Sequence, residues 1–185
     1  MAKILTFKIS LVGAKPPIWR RFQVADTLDF EDFHAVIQIV MGWWNSHLHE
    51  FLVRDRRIGM VLPDIDIFEP EDMDDETEIF LHQLKLKVGE KLSYTYDFGD
   101  NWEHELVLEE VAEGDLELPR CLTGKGACPP EDCGGIWGYE EILTALKDPE
   151  NPDYADLLEW LPEEFDPAAF SEEEVNEEIE EEFEE

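Results

Sequence analysis

The stretch YTYDFGDNWEHEL, residues 94–106, constrains the fold more than any other part of the chain. Apolar and polar residues alternate on both sides of Gly99, which is the pattern of two half-buried strands joined by a short turn. The stretch also holds a histidine and several carboxylates, so it is either a well-packed hairpin or part of a functional site.

A turn at residues 99–101 would set Phe98 opposite Trp102, and Tyr96 would then face His104. Because successive side chains of a strand point to opposite faces, one face of this hairpin would be aromatic and would point to the core. Its members would be Tyr94, Tyr96, Phe98, Trp102, His104 and Leu106. The opposite face would carry Asp97, Glu103 and Glu105.

A second regular pattern lies upstream of the hairpin. Apolar residues recur at helical spacing from Phe30 to Met41, Asp29 can cap the N-terminus, and Gly42 can stop the helix. We therefore predict an amphipathic helix over about 30–41 that covers one face of a sheet.

The remaining patterns complete an α+β fold. Strand-like alternation outside the hairpin falls at 3–12, 18–25, 47–55 and 57–64, and helical patterns fall at 138–148, 151–162 and in the tail at 171–185. The chain of 185 residues fits a single domain. We predict an antiparallel sheet of about five or six strands, with two to three C-terminal helices.

Other segments are less regular. Residues 64–78 are rich in Asp and Glu and predict a solvated acidic loop. Residues 79–89 are open between a short helix and a strand, and 114–135 predict irregular chain. The tail at 171–185 is an acidic helix or tail whose narrow apolar stripe could dock internally or on a second chain.

The net charge limits the classes of partner. Asp and Glu number 47 against 14 Lys and Arg, a formal charge of −33. Phosphate binding needs clustered Lys and Arg, so nucleic acid is an unfavourable partner and an unidentified protein or small ligand is expected. Adaptation to a salty cytoplasm is another source of such acidity. No apolar run is long enough to span a membrane, no export signal is visible, and three cysteines suit a cytoplasmic protein.

Two histidines form a candidate metal site. If 47–53 is a strand, His47 and His49 lie on one face, and two such imidazoles can share a divalent ion with a third ligand. His104 is a candidate for that ligand, and Glu50 or Asp100 could serve after local distortion. The alternative is that these histidines pack structurally, and no other cofactor is assigned.

Other singled-out residues have structural interpretations. Of Arg20 and Arg21, one is expected to face inward or along the sheet edge and to pair with Asp97 or Asp100, because a buried Arg needs a carboxylate. The alternative is an anion-binding group that lines a pocket. Tyr96 and Gly99 belong to the hairpin. The cysteines do not have zinc-module spacing and lack the positive neighbourhood that activates a thiolate, so they are expected to be structural. They are Cys121, Cys128 and Cys133.

Five blocks resemble successive motifs of the plasmid pRiA4b third-open-reading-frame-like family. They are PPIWRRF, FHAVIQIVMGWWNSHLHEF, YTYDFGDNWEHEL, CLTGKGACPPEDCGGIWGYEEIL and FDPAAFSEEEVN. The resemblance implies a single α+β domain with no catalytic residues to carry over. Some members are labelled transposon resolvases, but the serines here lack the arginines and basic DNA-binding segment that a serine recombinase needs.

The motif positions are expected to converge around one cleft. They are His47, His49, Tyr96, Asp97, Gly99, Asp100, Trp102, His104, Cys121, Pro129, Pro130, Asp132, Cys133, Gly134 and Gly135. The first hypothesis is a non-enzymatic binding module, with its ligand held by Trp44, His47, His49, Asp97, Asp100 and Trp102. The alternatives are a metal-dependent hydrolase-like enzyme, and a mobile-element accessory protein or nucleic-acid mimic.

The charge generates a prediction about salt. Repulsion among the 47 acidic residues opposes compaction and is screened by ions, so the melting temperature should climb steadily from low salt to molar KCl. Differential scanning calorimetry measures it, with sorbitol of equal osmolality as the control for effects other than screening. A flat profile in KCl would contradict the prediction.

Overall fold

The computed structural model describes residues 2–61, 73–152, 154–162 and 165–184. The strands are β1 (Lys3–Leu11), β2 (Trp19–Ala25), β3 (His49–Val53), β4 (Arg56–Gly59), β5 (Asp74–Asp75), β6 (Lys91–Tyr96), β7 (Trp102–Glu113) and β8 (Arg120–Lys125). The helices are α1 (Phe30–Met41), α2 (Gly135–Ala145), α3 (Tyr154–Trp160) and α4 (Glu172–Phe183), with a 3₁₀ helix at Leu81–Leu84. The predicted α+β class is confirmed.

The eight strands form one sheet in the order β5-β4-β3-β6-β7-β1-β2-β8. Neighbours are antiparallel except β4 and β5, which are parallel. The prediction of five or six strands was therefore too low. The two unpredicted strands lie at the sheet edges: β5 has only two residues, both acidic, and β8 contains Gly124, so neither shows apolar alternation.

Helix α1 forms where the apolar period predicts it. The Asp29 carboxylate accepts a hydrogen bond from the Asp32 amide at 2.9 Å, and Gly42 ends the helix in the left-handed conformation. The apolar face is fully buried on the sheet, where Phe33 packs against Phe7 and Phe51. Burial of these side chains fixes the helix on one face of the sheet.

The hairpin has a longer turn than predicted. Tyr96 pairs with Trp102, and Tyr94 pairs with His104, so residues 97–101 form a five-residue bend in place of the expected turn at 99–101. Asp97 leaves the extended conformation at φ 57, and its carbonyl accepts from the Asn101 amide at 2.6 Å. Phe98, expected on the core face, is therefore 41% exposed, and Asp97, expected to face solvent, is buried.

The acidic segment 64–78 is partly corrected. Residues 64–72 lie outside the described residues. Asp74 and Asp75 form strand β5, and the Glu76 side chain is 3% exposed, because it bonds to His49 inside the protein. These residues are therefore not a solvated loop.

The C-terminal helix α4 docks on its own chain. Ser171 caps it by accepting from the Glu174 amide, and Ile179 of its apolar stripe is buried. The Asn176 side chain bonds to both the amide and the carbonyl of Cys121 on edge strand β8, at 2.8 and 3.0 Å. An edge strand is thereby covered. In the described part of the chain no helix is long and apolar enough to cross a membrane.

The two arginines do not bond as predicted. Arg20 is buried and donates to main-chain carbonyls of Trp19, Val40, Met41, Lys125 and Gly126. Arg21 pairs with Glu109 at the surface. The expected partners accept hydrogen bonds from main-chain amides instead: Asp97 from Gly99, and Asp100 from Gly134. Arg20 thus ties β2 to the end of α1 and to the chain after β8 without a carboxylate.

Replacement of Arg20 by lysine should lower the free energy of unfolding by about 3 kcal/mol or more. Lysine has three donors in place of five, and each buried carbonyl left unpaired costs about 1–3 kcal/mol. The matched control, Arg21→Lys, replaces the two-bond pair with Glu109 at the surface by a simpler contact and should cost at most about 1 kcal/mol. Urea denaturation measures both free energies of unfolding. Equal losses in the two variants would contradict the role given to Arg20.

Candidate functional site

Three segments meet at one end of the sheet. The entry loop, residues 43–48, leads into β3, and the bend, residues 97–101, follows β6. Because His49 and Tyr96 are register partners, these two segments run side by side, and the Asp97 amide donates to the Leu48 carbonyl at 2.9 Å. The third segment, the site loop at 127–134, packs against both.

The site loop is tied to the bend by close backbone approach. The Gly134 amide donates to Asp100 Oδ2 at 3.0 Å. Gly135 has φ +69, and a Cβ there would collide with the Asp100 carbonyl oxygen, so only glycine fits at this contact. The close approach at Gly134 and Gly135 therefore places Glu131 and Asp132, a few residues earlier in the site loop, next to the bend.

Four titratable side chains converge where the segments meet, and we call them the inner cluster: His47, Asp97, Glu131 and Asp132. His47 Nε2 lies 3.1 Å from Asp132 Oδ1, 3.6 Å from Asp97 Oδ2 and 3.6 Å from Glu131 Oε2. Single atoms of His47, Asp97 and Asp132 lie within 4.8 Å of one another. An imidazole among carboxylates is a donor set that divalent ions use.

Only one of the two carboxylate oxygens of Glu131 is hydrogen-bonded to the described residues. Its Oε1 accepts from the Trp44 amide at 2.8 Å and from the Tyr96 hydroxyl at 3.1 Å. Tyr96 in turn accepts from the Ser46 amide at 2.9 Å. Glu131 Oε2 and His47 Nε2 are both buried, and neither has a hydrogen-bond partner among the described residues.

A closed ring of hydrogen bonds positions the entry loop from beneath. Gln38 Nε2 donates to the Tyr94 hydroxyl at 2.8 Å, and that hydroxyl lies 2.9 Å from His34 Nδ1. His34 Nε2 lies 2.8 Å from Asn45 Oδ1, and the Asn45 amide donates to Gln38 Oε1 at 2.8 Å. Because Asn45 Oδ1 can only accept, His34 Nε2 carries a proton. Burial lowers the pKa of His34, which keeps the imidazole neutral.

The three predicted metal histidines do not share a site. His49 points into the core, where Nε2 lies 2.6 Å from Glu76 Oε2 and its ring stacks on His34 at 3.4 Å. His104 is buried, and its Nε2 accepts from Trp43 Nε1 at 3.1 Å, which blocks the position that a metal would need. The strand begins at His49, so His47 is free to turn toward the bend.

The predicted ligand-binding residues separate into two groups. Trp44 is 73% exposed and lies in the entry loop, next to the inner cluster. Trp102 is fully buried against Trp43, so the expectation that it contacts a ligand is corrected: it supports the site from behind. The reason is strand parity, since Trp102 and Tyr96 are paired on the inner face of the sheet.

Beside the inner cluster lies a second feature, the outer groove, of about 310 Å³. It is lined by Val12, Asp100, Asn101, Glu103, Gly134, Gly135, Ile136 and Trp137. Trp137 is 79% exposed, and the lining residues include two carboxylates and no Lys or Arg. Exposed aromatic surface next to unneutralised acids is typical of a binding surface.

The cysteines are thiols, and all three are free. Burial raises the pKa of Cys121 to about 11 and the pKa of Cys133 to about 12, and it raises the pKa of Cys128 well above its ordinary value. Protonated, buried sulfur is a poor nucleophile and a poor metal ligand. The inner cluster therefore has oxygen and nitrogen donors only.

Comparison with known proteins identifies the family. The sequence profile described as plasmid pRiA4b ORF-3-like protein matches residues 3–174. The chain belongs to this family. Uncharacterized protein y4hQ of Sinorhizobium fredii (strain NBRC 101917 / NGR234) is 39% identical over 162 residues, or 86% of this chain and 81% of y4hQ. The crystal structure of a protein of unknown function, MM3350 from Methanosarcina mazei Go1, is similar at TM-score 0.84 and 38% identity, over 95% of this chain and 98% of that one.

Glu131, which completes the inner cluster, was not among the residues predicted from the sequence. Glu131 was in a segment predicted to be irregular, and its only signal was its place in PPEDCGG, beside the motif residue Asp132. Of the motif positions expected to converge, some do lie together and others do not. His49 points into the core, and Cys121 lies on edge strand β8. Those that lie together include His47, Asp97, Asp100, Asp132, Gly134 and Gly135. Glu76 was missed because it lies among solvent-facing acids in the sequence.

The buried histidines generate a pH prediction. Burial lowers the pKa of His34 to about 3 and that of His104 to about 4, from 6.5. In the unfolded chain both take up protons below about pH 6.5 and in the folded chain they do not, so the free energy of unfolding should fall as the pH drops from 6.5 toward 4.

Replacement of His104 by glutamine should reduce the slope of unfolding free energy against pH by up to about 1.4 kcal/mol per pH unit. The reason is that the chain takes up one proton fewer when it unfolds. Urea denaturation at a series of pH values measures it. The control is Leu108→Ala, which opens a cavity in the core and should lower stability at every pH without changing the slope. An unchanged slope in the His104 variant would contradict the assignment.

Proposed function

We propose that the protein is a non-enzymatic binding module that takes a basic side chain of a partner protein into the outer groove. The observation that supports it most is Trp137, which is 79% exposed and shares the groove with Asp100 and Glu103. A large aromatic side chain left in water is costly for a monomer and useful for binding.

The chemistry of the groove suits an alkylammonium or guanidinium group. The face of a Trp ring attracts such cations, with a contribution of about 0.5–2 kcal/mol. A carboxylate beside the ring adds charge-assisted hydrogen bonds. Val12 and Ile136 offer apolar surface for the stem of a Lys or Arg side chain, which prefers to bury its methylenes.

The rest of the molecule favours the same class of partner. A net charge of −33 attracts basic proteins and speeds their association. Trp44, 73% exposed, adds aromatic surface at the inner cluster, and the bond from its amide to Glu131 fixes its main chain. From the predicted ligand-binding set, Asp100 lines the outer groove. Trp44, His47 and Asp97 lie at the neighbouring inner cluster.

The test uses a peptide with one central arginine and the same peptide with citrulline, which keeps the shape and removes the charge. Trp fluorescence should follow saturable binding of the arginine peptide, and binding of the citrulline peptide should be at least about fivefold weaker. Trp137→Ala and Glu103→Gln should weaken arginine-peptide binding by a similar factor. The matched control is Trp160→Ala, which removes a half-exposed Trp from α3, outside the groove. Equal binding of both peptides, or binding unaffected by Trp137→Ala, would refute the proposal.

Metal-dependent hydrolysis is the second candidate function. It is favoured by the 74% exposure of the Asp132 side chain, which gives the inner cluster a side open to substrate and water. This candidate requires a divalent ion at the cluster, and failure of the cluster to bind one would end it.

A further inference from the structure

The inner cluster is a different feature from the outer groove, and its chemistry points to a different ligand. Three carboxylates and one imidazole come from the entry loop, the bend and the site loop. Carboxylates this close repel one another in a poorly solvated site. A bound cation or a proton among them would relieve this repulsion.

Glu131 gives the most direct indication. Its side chain is only 6% exposed, and Oε1 already accepts two hydrogen bonds. Oε2 points toward His47 Nε2, which is itself buried and unpartnered. A buried carboxylate oxygen without a hydrogen-bond donor is strongly unfavourable. Two atoms that both bind one metal ion also face each other without a hydrogen bond between them, as Glu131 Oε2 and His47 Nε2 do.

The distances agree with shared coordination. Ligand atoms around a tetrahedral ion with bonds of about 2.0–2.1 Å lie about 3.3 Å apart. His47 Nε2 is 3.1 Å from Asp132 Oδ1 and 3.6 Å from Asp97 Oδ2 and from Glu131 Oε2. These three separations, all measured from His47, are close to the tetrahedral value. Ligand atoms of His47, Asp97 and Asp132 lie within 4.8 Å of one another, and Glu131 would join that set by a movement of its side chain.

We propose that His47, Asp97, Glu131 and Asp132 bind one divalent transition-metal ion of the Zn²⁺ or Mn²⁺ class. The imidazole favours these ions over Ca²⁺ and Mg²⁺, which take oxygen ligands. Asp97 and Glu131 are the buried ligands, and Asp132 is the exposed ligand on the solvent side. The hydrogen bonds of Glu131 Oε1 to Trp44 and Tyr96 supply the outer shell that orients a ligating carboxylate.

The same geometry has one competing explanation, a proton on His47 Nε2 that makes the imidazole the cation. The two explanations differ at Glu131. Removal of its charge by Glu131→Gln would destabilise a protein in which Glu131 pairs with imidazolium. If Glu131 is a metal ligand, the same change relieves an uncompensated buried charge in the metal-free protein.

The experiment uses full-length protein with its tag removed, depleted of metal by dialysis against chelator, and titrated with ZnCl₂ or MnCl₂ in a calorimeter. One equivalent should bind. Asp97→Asn and Glu131→Gln should each weaken binding by at least about 100-fold, more than the loss of an outer-shell partner causes. Glu105→Gln, which removes an exposed carboxylate on β7, is the matched control and should bind as the wild type does.

The melting temperature of metal-free Glu131→Gln supplies the second measurement, and it should equal or exceed that of the metal-free wild type. Absence of saturable one-to-one binding of Zn²⁺ and of Mn²⁺ by the wild type would overturn the proposal. So would binding that Asp97→Asn and Glu131→Gln leave unchanged. Because arginine-peptide binding in the groove is measured on metal-free protein, the two proposals fail separately.

Discussion

The pairing of β3 with β6 is the constraint on which the site depends. The two strands are antiparallel and His49 is the partner of Tyr96, so the chain that enters β3 lies beside the chain that leaves β6. A shift of one residue would turn every side chain to the opposite face. The register is secured by Phe51 and Tyr94, buried partners whose rings lie 4.8 Å apart. Core packing therefore decides that His47 meets Asp97.

Buried polar groups around the site serve to fix it. The ring of Gln38, Tyr94, His34 and Asn45 satisfies each of its members, so it costs little and sets the path of the entry loop. Glu131 differs from these residues, since one of its oxygens accepts two hydrogen bonds and the other has no partner; His47 Nε2 and Trp102 Nε1 are also buried without one. The ring of hydrogen bonds is fully satisfied, whereas the Glu131 carboxylate is only half satisfied. The unfavourable buried charge is therefore located where a ligand could bind it.

Local patterns predicted the helix, the hairpin and the α+β class, because α1 has both its caps and its apolar period in consecutive residues. Edge strands β5 and β8 could not be predicted, since main-chain pairing rather than side-chain alternation forms them. For the site, the motif residues predicted convergence, but which histidine turns outward depends on where β3 begins. The role of Glu131 depends on contacts with Trp44 and Tyr96, 87 and 35 residues away in sequence, and no local pattern contains them.

The high charge of the chain does not by itself make a site. Most of the acidic residues that the structure describes are exposed to water, where mobile ions screen them and no single position is preferred. The inner cluster differs because Asp97 and Glu131 are buried, with side-chain exposures of 10% and 6%, so salt screens them poorly. A cation bound at the proposed metal site would be held by fixed ligands and would resist exchange with bulk potassium. Binding of a basic side chain in the outer groove, which is open to solvent, would weaken as salt rises. The effect of salt on ligand binding would therefore distinguish the buried carboxylates of the inner cluster from the exposed carboxylates, although the sequence does not tell the two groups apart.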